Sequence, residues 1–200
     1  MRYMRAHRTG TTKFSGGKND ADLVKDANNM AYADALILTL PLSALWSIAF
    51  PLTPAILFGI ISACLISAGI ADLRVGKIPN LLTDCAAISA IALNIYANGV
   101  LVGAVRMVMV VIFWLIVAPS LYRSTKHRLA GGDLKMAGVN LIAINAFPVS
   151  LSFEMTTFWL FSLLIAAIVF RATGKNVRAG AVLALTSIGS WIAGIALMRI

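Results

Sequence analysis

The chain has 200 residues, 60% of them hydrophobic and 12% charged, with a mean hydropathy of +0.86 and a formal net charge of +9. Soluble domains carry about 25% charged residues, so this composition excludes an ordinary soluble domain and reads as an integral membrane protein. The bases lie between apolar runs and in one tail, which makes the charge a topology signal, and no nucleic-acid partner is expected.

The start of the chain, MRYMRAHRTG, is basic but has no apolar segment close behind it, so it does not read as a cleavable signal peptide. Residues 1–34 are polar and show no periodic apolar face, which predicts a flexible cytoplasmic tail. Met30 stands just before the first apolar run and is an alternative start. His7 and His127 are far apart in polar segments, and Cys64 and Cys85 form no CxxC pair. Neither a metal site nor an organic cofactor is therefore expected.

From residue 35 onward the apolar runs follow one another at about 35–50, 54–71, 81–98, 107–122, 136–153, 156–170 and 180–198. Each is near the ~17–25 residues that a spanning helix needs. The predicted fold is all-α, a polytopic membrane helix bundle of about seven transmembrane helices, or six, occupying residues 35–200. The stretch FPLTP at 50–54 reads as a tight turn between the first two, since each proline disfavours helix at the residue before it. The second run carries Gly59, Ala63, Ser67 and Ala71 at four-residue spacing. Such a ridge lets another helix approach closely, although an alanine-rich chain produces it by chance as well.

Seven helices with a cytoplasmic N-terminus give a definite charge distribution. Six bases fall in the tail, and Arg74 and Lys77 fall in the next inside segment. Arg123, Lys126, Arg128 and Lys135 follow, then Arg171, Lys175 and Arg178. Fifteen of the 17 bases are then inside and only Arg106 and Arg199 outside, as the positive-inside rule requires.

Four of the eight acids, Asp20, Asp22, Asp26 and Asp34, belong to the tail. Glu154 is expected at a solvated outer helix end. Asp84 is expected in the first turn of the third helix, where a carboxylate meets the positive end of the helix dipole; the alternative is a contact supporting an active site. Asp72 and Asp133 differ, because each follows a spanning run at the same side of the membrane and each has a base two residues later, Arg74 and Lys135. Gly131 and Gly132 precede Asp133 and permit close backbone approach to a substrate. An acid at membrane depth is costly and marks function by default. Two carboxylates sharing a site can divide the work of base and acid. The bland alternative is a pair of loop acids neutralised by the neighbouring bases.

The stretch ADLRVGKIPN at 71–80 resembles the D-x-R-x-x-x-I-P-N motif of the prepilin peptidases, the type IV leader peptidases. The stretch LAGGDLKMAG at 129–138 resembles their G-x-G-D-x-K motif, with Ala130 where the family has its first glycine. The resemblance covers roughly residues 36–200 and weakens after about residue 150. It implies an intramembrane aspartic endopeptidase with Asp72 and Asp133 catalytic. Arg74, Ile78, Pro79 and Asn80 match the rest of the first motif, and Gly131, Gly132 and Lys135 belong to the second. Pro79 is expected near the first turn of the third helix, where its missing N–H costs little. Arg74 and Lys135 either favour an ionised aspartate or anchor membrane lipid headgroups.

The resemblance further implies a multi-pass protein of the bacterial inner membrane with a cytoplasmic active site. Its substrate would be a prepilin: a short basic leader, a glycine at the cleavage point, and an apolar helix. The methyltransferase region of the longer family members has no counterpart here, so the chain looks like the peptidase-only members that serve Flp pili in tight-adherence systems. Two other classes remain open. One is an inactive membrane subunit of a pilus or secretion assembly. The other is a small transporter, although that would more often place acids at mid-membrane.

Overall fold

The computed structural model describes residues 20–124, 131–173 and 178–198. Regular structure among them is wholly helical: α1 (Asp20–Trp46), α2 (Leu52–Val75), α3 (Asn80–Asn98), α4 (Val100–Ser124), α5 (Gly131–Ile144), α6 (Val149–Thr173) and α7 (Ala179–Met198). Among the described residues, α2, α3, α4 and α7 are long and apolar enough to cross a membrane, and α6 contributes a shorter apolar stretch, Val149–Ile165.

Proline and glycine set the boundaries. Pro51 is the N-cap of α2, and Pro54 sits in that helix's first turn, where no intrahelical N–H is needed. The FPLTP stretch thus divides between the turn and the helix start. Pro79 caps α3 with extended backbone angles. Gly76 ends α2 at φ 70°, a left-handed position that favours glycine, and its N–H bonds the Asp72 carbonyl at 2.9 Å.

α2 is the hub, packing on α1, α3 and α7, while α5 packs on α3 and α7. The small-residue ridge accounts for part of this. Gly59, Ala63, Ser67 and Ala71 are all buried, and a Cβ on Gly59 would lie 2.8 Å from the Ser43 Cα of α1. At the end of α2 remote from Asp72, Phe58 stacks on Phe50 at 5.0 Å between ring centroids and meets Trp191 edge-on at 5.6 Å. Trp46 joins this cluster and gives its Nε1–H to Ser62 Oγ at 2.9 Å.

Two sequence expectations change. Residues 20–34, expected in a flexible tail, form the first part of α1, and Met30 lies inside that helix. The cause is tertiary: Ala27, Ala31 and Ala35 recur every four residues and are buried, which a hydropathy reading of a polar stretch does not detect. Residues 1–19 lie outside the described residues. The apolar run 136–153 is also broken, because α5 stops at Ile144 and α6 starts at Val149. Glu154 is consequently an exposed residue near the start of α6, not the end of the fifth helix.

α5 has 14 residues, a length of about 21 Å at 1.5 Å per residue. That is too short to cross ~30 Å of hydrocarbon, so its C-terminal carbonyls need partners from the protein. Side chains from α3, α4 and α6 supply them. Asn94 donates to Ile142 O and Asn98 to Ala146 O, both at 3.5 Å. Arg106 donates to Phe147 O at 2.8 Å, and Ser152 Oγ to Ile144 O at 3.0 Å. Arg106 also donates to Asn98 Oδ1 and to Ser152 Oγ. The guanidinium therefore ties three elements to the turn that ends α5.

Candidate active site

Asp72 lies in the last turn of α2 and is buried, at 8% exposure. Its Oδ2 accepts the backbone N–H of Gly180 at 3.0 Å. Gly180 is the second residue of α7, so the carboxylate sits against the open N–H groups and positive dipole end of that helix. Asp133 is the third residue of α5, at 5% exposure, and faces the bundle interior within its own helix's first turn. Each aspartate is thus matched to a helix N-terminus, one from a distant helix and one from its own.

Ile78 joins the two motifs. A Cβ on Gly132 would lie 2.9 Å from Ile78 Cβ, and one on Gly180 would lie 2.9 Å from Ile78 Cδ1 and 3.0 Å from Asp72 Oδ2. Gly132, beside Asp133, and Gly180, beside Asp72, therefore pack on the same isoleucine. Both glycines are required by close approach rather than by backbone angles. A second link is polar: Lys135 Nζ donates to Asn80 Oδ1 at 2.9 Å, joining the lysine of the second motif to the asparagine of the first.

The remaining motif residues have other partners. Arg74 pairs with Asp34 of α1 at 3.4 Å on the surface. Pro79 is buried at the start of α3, while Gly131 opens α5 and is exposed. Ala130 lies outside the described residues. Asp84 is the fifth residue of α3 and is exposed, so it falls past the first turn in which a dipole-capping role was expected. Among the described residues, no group of three His, Cys, Asp or Glu could hold a metal ion.

Sequence reasoning missed Gly180 and Arg178. The Arg178 guanidinium lies against Gly76, so that a Cβ there would collide with it. The available signal was the stretch RAG, a base and a glycine at the head of an apolar run with no first-turn acid of its own. A helix N-terminus without its own acid can accept one from elsewhere. Arg178, Gly76, Asn80 and Lys135 gather at one end of the bundle, and Arg106 lies at the other.

No protein-family model, no curated protein and no solved structure matches this chain. The arrangement must be read from its chemistry. Two buried carboxylates at helix ends lie beside glycines that pack on one apolar side chain, and the Gly180 backbone N–H is directed at Asp72. Two carboxylates within reach of one water can in general divide the roles of base and acid.

Proposed function

We propose that the chain is an intramembrane aspartic endopeptidase that removes the short basic leader from Flp-type or related type IV prepilins, cutting after a glycine, without methyltransferase activity. In this reading it is a multi-pass protein of the bacterial inner membrane, with its N-terminus and active site on the cytoplasmic side. The observation that carries the proposal is that Gly180, which bonds Asp72, and Gly132, the neighbour of Asp133, pack on the same side chain, Ile78, although the two aspartates are 61 positions apart in the sequence. The motif stretches ADLRVGKIPN and LAGGDLKMAG supply the substrate class by resemblance.

In the reaction, one carboxylate of the pair takes a proton from water as the water attacks the glycine carbonyl. The other gives a proton to the carbonyl oxygen, and the collapsing intermediate releases the amine of the mature pilin. The Gly180 N–H holds the first aspartate, and α5 carries the second.

The test is co-expression with a tagged prepilin in a host lacking its own peptidase, read by the mass of the pilin. Cleavage is expected with the unaltered chain and is expected to fall by about 10³-fold or more with Asp72→Asn or Asp133→Asn. Unchanged cleavage in either variant would remove that aspartate from the mechanism. Absence of cleavage across several pilin types by a folded, membrane-inserted protein would favour an inactive assembly subunit.

A further inference from the structure

A groove of about 330 Å³ opens between α3, α4 and α5, next to the candidate active site. Its deeper part is apolar, formed by Ala87, Trp114, Gly138 and Ile142. The Trp114 indole rests on Gly138, where a Cβ would lie 3.0 Å from Nε1. At the end nearer the aspartates, the lining becomes polar with Asp84 and Lys135. Lys135 is held by Asn80, whereas no described side chain pairs with the exposed Asp84 carboxylate. α4, which forms the outer wall, has only 6% of its apolar span buried. The groove is therefore open toward the side where lipid would lie.

These features specify an occupant. The floor calls for an apolar segment, and the missing side chain at Gly138 permits a close backbone. The exposed Asp84 carboxylate at the mouth offers a partner to a cation, while Lys135 beside it is held by Asn80. We propose that this groove docks the apolar helix of the peptide substrate, with Asp84 pairing to a basic residue just before that helix. The inference rests on the peptidase reading for its substrate, and it assigns Asp84 a role in specificity. Asp133 lies on the adjoining buried face of α5, so a chain leaving the mouth of the groove reaches it around the helix N-terminus.

The first arm of the test does not depend on cleavage. Cys64 and Cys85 are replaced by alanine, both aspartates by asparagine, and a single cysteine is placed by Ala87→Cys. A tagged prepilin carries one cysteine, moved along its apolar helix. Disulfide cross-links are expected at helical spacing, and none from a control Ile37→Cys on the exposed face of α1. Equal yields from the two positions, or none from Ala87→Cys, would overturn the docking site.

The second arm uses the active chain. Asp84→Asn is expected to raise KM about threefold with kcat unchanged, and Asp84→Lys about tenfold, as for a solvent-exposed ion pair. Changing the leader's base to glutamate should restore cleavage by Asp84→Lys. Failure of that rescue, or loss of a co-purifying aminophospholipid in its place, would overturn the peptide assignment. Cross-links without any cleavage would refute the peptidase reading alone, and cleavage without cross-links would refute the groove alone.

Discussion

Gly180 presents its backbone N–H to Asp72 Oδ2 at 3.0 Å, across 108 residues of chain. The same residue leaves no room for a side chain, since a Cβ would meet Asp72 and Ile78 at about 3 Å. Gly180→Ala therefore separates stability from function. Alanine is favoured over glycine in a helix interior by about 1 kcal/mol and by less at this second position, which offsets a small part of the steric cost. The variant is expected to stay folded, with a Tm near that of the parent, and to lose pilin cleavage by about tenfold or more as the Asp72 carboxyl shifts. Parent-like cleavage would show that Asp72 tolerates displacement and that α7 does not position it.

The Lys135–Asn80 bond joins the two motifs at 2.9 Å and is exposed to solvent. Such contacts contribute little to stability, about 0.2–1 kcal/mol. Their value here would lie in holding the start of α5 against the start of α3. Lys135→Met and Asn80→Ala are each expected to slow cleavage several-fold. The double variant should be no slower than the worse single one, because one contact is lost in all three. Multiplying effects in that double-mutant cycle would mean the two residues act separately.

Much of the helical framework was legible in the sequence. The starts of α2 and α3 fall within about two residues of the apolar runs because Pro51, Gly76 and Pro79 punctuate them, and the start of α7 falls as close without a proline. The two apolar runs counted between the aspartates correspond to α3 and α4. The break at residues 145–148 had a signal in Pro148, which disfavours helix at Phe147, but the run continues apolar on both sides, and the donors to the carbonyls of the break come from distant Asn98, Arg106 and Ser152. The helical start at Asp20 was hidden by polar neighbours around Ala27 and Ala31. The contact between Gly180 and Asp72 carries no local pattern at all, since each residue is ordinary in its own segment and the relation is tertiary.

Arg74 is part of the first motif, yet its observed partner is Asp34, at 3.4 Å with both side chains substantially exposed. Water and salt screen such a pair, and its stabilisation is about 0–1 kcal/mol. Asp34→Ala is accordingly expected to change stability by no more than about 1 kcal/mol and cleavage by no more than about twofold. Arg74→Ala should cost more than Asp34→Ala in cleavage if the arginine also serves substrate or lipid. Equal effects of the two substitutions would confine Arg74 to its ion pair with α1.

Arg106 lies at the end of the bundle remote from the aspartates, but it acts on the helix that carries one of them. It donates to Phe147 O at 2.8 Å and also to Asn98 and Ser152. Arg106→Leu removes the charge and leaves the Phe147 carbonyl with the Ser152 hydroxyl as its side-chain donor. A buried acceptor losing a charged donor costs about 1–3 kcal/mol, and hydrogen bonds measured in membrane bundles fall toward the lower end. Arg106→Leu is expected to lower the detergent-solubilised Tm by several degrees and to increase hydrogen exchange at the C-terminal turn of α5. Arg106→Lys keeps the charge but cannot reach all three partners at once, so it should recover part of the loss. A parent-like Tm and exchange pattern in Arg106→Leu would show that the short α5 is held by packing on α3 and α7 rather than by its polar cap.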